Sequence, residues 1–169
     1  MKTTILFSLL IFGSLTFKQQ SNHQLDDCPH FDESKGVIFP IEKLIVNLNF
    51  QWTNTTGNCE DFEIIQKHLE REIDAYNSKL KQIDSLNQSP KTIKIQYSLI
   101  DSKDYAYQYA FGIDSLQEKH VFVNAVCLSK AKHWRDNLIL VDDGGSCYFN
   151  LNINLTKNKL DRFVVNGWN

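Results

Sequence analysis

Tyr105, Tyr107 and Tyr109 stand at strict period two and form the most unusual chemical feature of the chain. On a strand that spacing turns all three phenols to one face. There they can hydrogen-bond a ligand while their rings supply apolar contact. Acid–base work at such a row would also need a buried carboxylate, its pKa raised, within hydrogen-bond reach. Asp101, Asp104 and Asp114 flank the row, but at its ends, where turns belong. Packing in a core or along an edge is the favoured reading over a ligand pocket, and no catalytic residue is assigned.

A second feature is His133 beside Trp134, in a segment that also carries Lys130, Lys132 and Arg135. A small basic and aromatic patch of this kind suits an anionic partner, although a solvated loop explains it more simply. The candidate ligand-binding residues are therefore Tyr105, Tyr107, Tyr109, His133 and Trp134. The other histidines are His23, His30, His68 and His120, and none stands in a Gly-x-Ser-x-Gly or His-Glu-x-x-His setting. His68 lies beside an apolar helical stripe and reads as a packed residue. No CxxC occurs and no Cys–His spacing repeats, so no metal site is expected. Asp142-Asp143 lacks the ligand spacing and closing Glu of an EF-hand. No cofactor is expected.

The four cysteines are Cys28, Cys59, Cys127 and Cys147, an even count that suggests disulfides in an oxidising compartment. If residues 129–145 are an excursion between neighbouring strands, Cys127 and Cys147 face each other. If Leu138–Val141 is instead a full strand, those cysteines sit near opposite ends of the sheet. The favoured pairing is Cys127–Cys147, with Cys28–Cys59 tying an N-terminal arm to a helix start.

The elements that would position these residues follow from hydrophobic periodicity. Phe62, Ile65, Leu69, Ile73, Tyr76, Leu80 and Ile83 recur at intervals of three and four, the stripe of one long amphipathic helix. Asn58 suits its N-cap, Glu60, Asp61 and Glu63 suit its positive end, and Lys79 and Lys81 the other end. Strands are expected near 37–39, at 44–50, at 92–99, at 105–113, at 120–128, at 138–141, at 147–155 and at 163–165. Trp52 to Asn58 reads as a loop. Asp142-Asp143-Gly144-Gly145-Ser146 reads as a hairpin turn, because Gly supplies positive φ.

The chain of 169 residues is 42% hydrophobic, with seven Gly and three Pro, which excludes a disordered or collagen-like chain. Eighteen basic residues against twenty acidic ones argue against an electrostatically driven nucleic-acid binder. Residues 1–20 have the shape of a signal peptide, with Lys2 before an apolar run from Ile5 to Phe17. That run is shorter than a membrane span needs, and no second one approaches it. Loss of Lys2 and Lys18 with the signal leaves sixteen basic residues against twenty acidic ones. The expected product is secreted or periplasmic, with no transmembrane segment in the mature chain. It has an arm at 21–35 and a single domain at 36–169.

One long helix followed by a mainly antiparallel sheet that curls around it is an α+β arrangement. This order resembles the cystatin-like and NTF2-like rolls. The C-terminal stretch, with Asp143-Gly144-Gly145-Ser146-Cys147-Tyr148-Phe149 and then Val164-Val165-Asn166-Gly167, resembles the ending of small secreted bacterial proteins of unknown function. No activity comes with that resemblance. The Gln-x-Val-x-Gly hairpin of cystatin inhibitors is absent, Gln51-Trp52-Thr53-Asn54-Thr55 being the nearest stretch. The expected function is a non-enzymatic binding module for a protein or small ligand. The alternatives are an NTF2-like hydrolase or isomerase with a Tyr-lined pocket, and an inhibitor or immunity-like partner of a secreted enzyme.

Overall fold

The computed structural model describes residues 25, 28–44, 51–86 and 98–166. Its elements are β1 (Gly36–Ile38), β2 (Thr53–Asn54), α1 (Cys59–Leu86), β3 (Tyr105–Ile113), β4 (Lys119–Cys127), β5 (Tyr148–Asn154) and β6 (Lys159–Val165). The six strands form one sheet in the order β1-β3-β4-β5-β6, with β2 also paired to β3. β1 runs parallel to β3, and every other pairing is antiparallel. The sheet is mixed and open, with α1 packed on one face. That is the α+β class expected.

The helix begins where its cap predicts. The Asp61 amide donates to Asn58 Oδ1 at 2.9 Å and the Asn58 amide donates to Asp61 Oδ2 at 2.8 Å. This reciprocal pair satisfies two donors that a helix start would leave open. The expected stripe is the buried one: Phe62, Ile65, Leu69, Ile73, Tyr76 and Leu80 are all core residues. No basic residue falls in the last turn, so Lys79 and Lys81 lie further in than the expected dipole pairing requires. His68, 4% exposed, joins the helix to the β5–β6 turn. Its Nδ1 accepts from Arg71 Nη2 at 2.9 Å, so its Nε2 carries the proton donated to Asn158 Oδ1 at 3.0 Å.

Alternation sorts the sheet into two faces. Phe111, Val121, Val123, Ala125, Phe149, Leu151 and Ile153 point at the helix and are fully buried. The opposite face holds a smaller cluster of Ile41, Leu44, Ala110 and Phe122, with Trp52 and Leu138 against it. Leu25, Cys28 and Phe31 from the arm reach the main core, where the Phe31 ring lies 4.7 Å from that of Phe62. The arm turns back on itself through backbone bonds such as Phe31 to Cys28 and Gly36 to Asp32.

Several expectations are corrected. Leu138–Val141 is irregular rather than a strand, and Asp142–Ser146 is not a hairpin turn. Residues 129–145 form one long excursion between β4 and β5, ending in a tight turn at Gly145–Cys147 with Gly145 at φ 59°. This brings Cys127 and Cys147 together, and they form a disulfide with Cα atoms 4.8 Å apart. Cys28 and Cys59 are not joined: the first is buried in the core and the second exposed at the start of α1. Within the expected loop at 52–58, Thr53 and Asn54 pair with Ile113 and Gly112. Glu42–Leu44 is a helical turn at the start of the strand expected at 44–50, whose remainder lies outside the described residues. Most of the strand expected at 92–99 lies outside them as well. No helix among the described residues is long and apolar enough to cross a membrane.

Candidate functional site

The tyrosine row is brought together on β3, facing the helix. Tyr105, Tyr107 and Tyr109 are 3%, 8% and 6% exposed. The Tyr105 hydroxyl donates to the Ser146 carbonyl at 2.5 Å and that of Tyr107 to the Ser102 carbonyl at 2.9 Å. Tyr109 packs edge-on against Phe62 and lies 6.2 Å from the Tyr107 ring. Burial pushes all three phenols up, that of Tyr105 to about 12 and the other two further. The rings therefore fill the core, and the hydroxyls of Tyr105 and Tyr107 are spent on backbone carbonyls. Among the described residues no buried carboxylate hydrogen-bonds to any of them. Asp101 and Asp104 bracket a short turn before β3, as the flanking position implies.

One member of the row still meets the surface. Tyr107 lies at the floor of a groove of about 530 Å³ between α1 and residues 99–102. Leu69, Ile73 and Ile100 line it with the tyrosine, while Glu70, Asp74 and Asp101 stand exposed at its rim. A two-way amide clamp joins the two walls of the groove, with Asn77 Nδ2 donating to the Ile100 carbonyl and the Ile100 amide to Asn77 Oδ1, both at 2.8 Å. Its apolar base and acidic margin suit an amine or guanidinium with an apolar body.

His133 and Trp134 lie on the other side of the sheet, away from the tyrosines. Gln108 and Asn124 project from that face in the middle of β3 and β4, 1% and 4% exposed. Gln108 Nε2 donates to the carbonyls of Trp134 and Asn137 at 2.6 and 2.7 Å. Its Oε1 accepts from Asn124 Nδ2 at 2.9 Å and from the Ile139 amide at 3.0 Å. Asn124 Nδ2 also donates to the Ile139 carbonyl at 2.6 Å. This buried amide pair pins the excursion to the sheet. Trp134 is half-buried, and the Arg135 guanidinium sits 4.4 Å above its ring while donating to the carbonyls of Glu33 and Ser34. Arg135 thus ties the excursion to the arm, whereas His133 is exposed at φ 56°. The sequence signal for this arrangement was an amide in each of two otherwise apolar strands.

A third group gathers at the β3–β4 turn, where the sequence places Asp114 in a turn and assigns no site. His120 is 8% exposed, and its Nε2 lies 3.1 Å from Asp114 Oδ2. Asp114 Oδ1 meanwhile accepts the amides of Leu116 and Glu118 at 2.8 and 2.9 Å. Those bonds, the Glu118 amide foremost, hold the Asp114 carboxyl below its ordinary range. Lys157, 2.5 Å from Glu118 Oε1, and Asn154 do the same for Glu118. Gly112, opposite His120 in the register, admits Trp52: a Cβ there would lie 2.6 Å from the Trp52 Cβ. The indole then stacks on His120, with centroids 5.0 Å apart at 18°. The visible signal was the spacing of Asp114, Glu118 and His120 across one turn.

No protein-family model, no curated protein and no solved structure matches the chain.

Proposed function

We propose that the protein is a non-enzymatic binding module of an exported kind, taking a cationic ligand into the groove between α1 and residues 99–102. The observation that carries this reading is the acidic margin of Glu70, Asp74 and Asp101 over an apolar floor of Leu69, Ile73, Ile100 and Tyr107. A binding role agrees with the filled core under the helix and with phenols already bonded to carbonyls. Export is supported by the Cys127–Cys147 disulfide and by the signal-like character of residues 1–20. The C-terminal resemblance to small secreted bacterial proteins points the same way.

The test is isothermal titration of the full chain with spermidine, arginine methyl ester and a tri-lysine peptide, each against an uncharged analogue. The expected result is binding of a cationic probe that weakens by about 10-fold in Asp74→Asn with Glu70→Gln, and also weakens with salt. Failure of every cationic probe at millimolar concentration contradicts the proposal. So does equal binding of the uncharged analogues, or affinity unchanged by the double substitution.

A further inference from the structure

We propose that Asp114, Glu118 and His120 form a binding site for one divalent transition-metal cation, with zinc the best match to their donor set. One ring nitrogen of His120 and one carboxylate oxygen each of Asp114 and Glu118 lie within 4.8 Å of one another. Ligands about 2.1 Å from a common ion stand about 3.4 Å apart in a tetrahedral site and at most about 4.2 Å, so the group must close by about 1 Å as the cation enters. The 3.1 Å between His120 Nε2 and Asp114 Oδ2 is the spacing of two adjacent ligands. Calcium and magnesium favour all-oxygen shells, whereas an imidazole nitrogen with two carboxylates suits a cation of intermediate softness.

The surroundings of His120 carry the inference beyond a cluster of acids. The ring is nine-tenths buried, its plane is fixed by Trp52, and its second nitrogen faces another carboxylate. Asp161 Oδ2 lies 3.8 Å from His120 Nδ1. Asp161 reaches that place through a β-bulge. Asn152 pairs with Arg162 and Ile153 with Leu160, which leaves Asp161 as the extra residue. A carboxylate behind a histidine is the usual device that orients a metal-bound imidazole and raises its basicity. On binding, His120 takes the tautomer that carries its ring proton on Nδ1, toward Asp161, and presents its unprotonated Nε2 to the cation. Two lysines stand against the carboxylates. Lys157 Nζ is 2.5 Å from Glu118 Oε1, and Lys159 Nζ is 3.2 Å from Asp161 Oδ1. Lys157 is largely exposed, so it can swing away as the cation enters. Asn154 Nδ2 holds the other Glu118 oxygen at 2.6 Å and keeps that side chain in place.

The experiment titrates zinc chloride into chelator-stripped full-length protein, with calcium chloride as comparison. One zinc per chain is expected, together with a shift of the His120 ring resonances in the NMR spectrum. Asp161→Asn should weaken binding about 10-fold, and Glu118→Gln or His120→Ala by on the order of 100-fold. Lys157→Ala should tighten it by removing the competing cation. Circular dichroism identifies any variant that fails to fold, and Asp161→Asn and Glu118→Gln, altered at the rim of the site, keep the test open if His120→Ala does. The proposal is overturned if zinc does not bind below millimolar concentration or calcium binds more tightly. It is equally overturned if Asp161→Asn and Glu118→Gln bind zinc like the parent, or if Lys157→Ala leaves the affinity unchanged.

Discussion

Gln108→Ala is expected to cost about 3 kcal/mol or more of unfolding free energy, read as a shift of the denaturation midpoint in urea. The side chain is 1% exposed and makes four hydrogen bonds. Truncation leaves the carbonyls of Trp134 and Asn137 and the amide of Ile139 without that partner. Asn124 keeps only its bond to the Ile139 carbonyl. A buried polar group left unsatisfied costs about 1–3 kcal/mol, so three or four of them add to a large loss even after partial relaxation. The excursion would loosen first, because Gln108 and Asn124 are its anchors on the sheet. A loss below about 1 kcal/mol would mean that residues 129–145 do not need the amide pair.

The second large effect belongs to the Cys127–Cys147 bridge. It joins the end of β4 to the turn before β5 and closes a loop with a sequence separation of 20. Replacing both cysteines by serine should lower stability by about 3 kcal/mol, chiefly by freeing the unfolded chain. Reductant should produce the same change in the parent and none in the variant. A non-reducing peptide map should recover residues 127 and 147 in one linked fragment. Native protein whose stability ignores reductant would contradict the assignment. Together the bridge and Gln108 hold the excursion from its ends and its middle.

The parts legible in the sequence were those written in a single period. The stripe from Phe62 to Leu80 and the alternation from Tyr105 to Ile113 each place one side on the core, and each was readable without knowing its neighbour. Asn58 announced the helix start, because its side chain serves amides three residues away. The order of α1 before a run of antiparallel strands gave the class. What escaped were contacts made at long separation. Gln108 faces away from the helix, and period two alone marks it as solvent-facing. It is buried only because a segment roughly thirty residues later lies over it. Leu138–Val141 is apolar enough for a strand, yet its backbone groups serve those amides instead.

The same reasoning explains the candidate sites. The tyrosine row was found but its role was not fixed by spacing, since period two states a shared side and not what covers it. The covering layer is α1, so two of the phenols turn to carbonyls and Tyr107 alone reaches a groove. His120 was read as part of a buried strand, and it is buried. Its partners come from the β3–β4 turn and from a bulge on β6, and neither a bulge nor its direction is encoded in a periodic pattern. Cys28–Cys59 failed for a related reason. An even count licenses pairing but sets no distance, and Cys28, buried in the core, and Cys59, exposed at the start of α1, are not bonded to each other.

The central claim is that the tyrosines are structural, enclosed between helix and sheet, with ligand chemistry displaced to the rims. Alkaline titration of tyrosinate absorbance, followed alongside circular dichroism, measures this directly. The raised folded-state pKa values mean that stability is complete below the ordinary tyrosine value of 10.0 and is lost as pH rises toward about 12 and beyond. The unfolded chain releases these protons first, so the equilibrium shifts toward it. The account predicts that at least the phenols of Tyr105, Tyr107 and Tyr109 stay neutral until the fold is lost, and then ionise together with the circular dichroism change. Ionisation of all six tyrosines near pH 10 with the fold intact would contradict it.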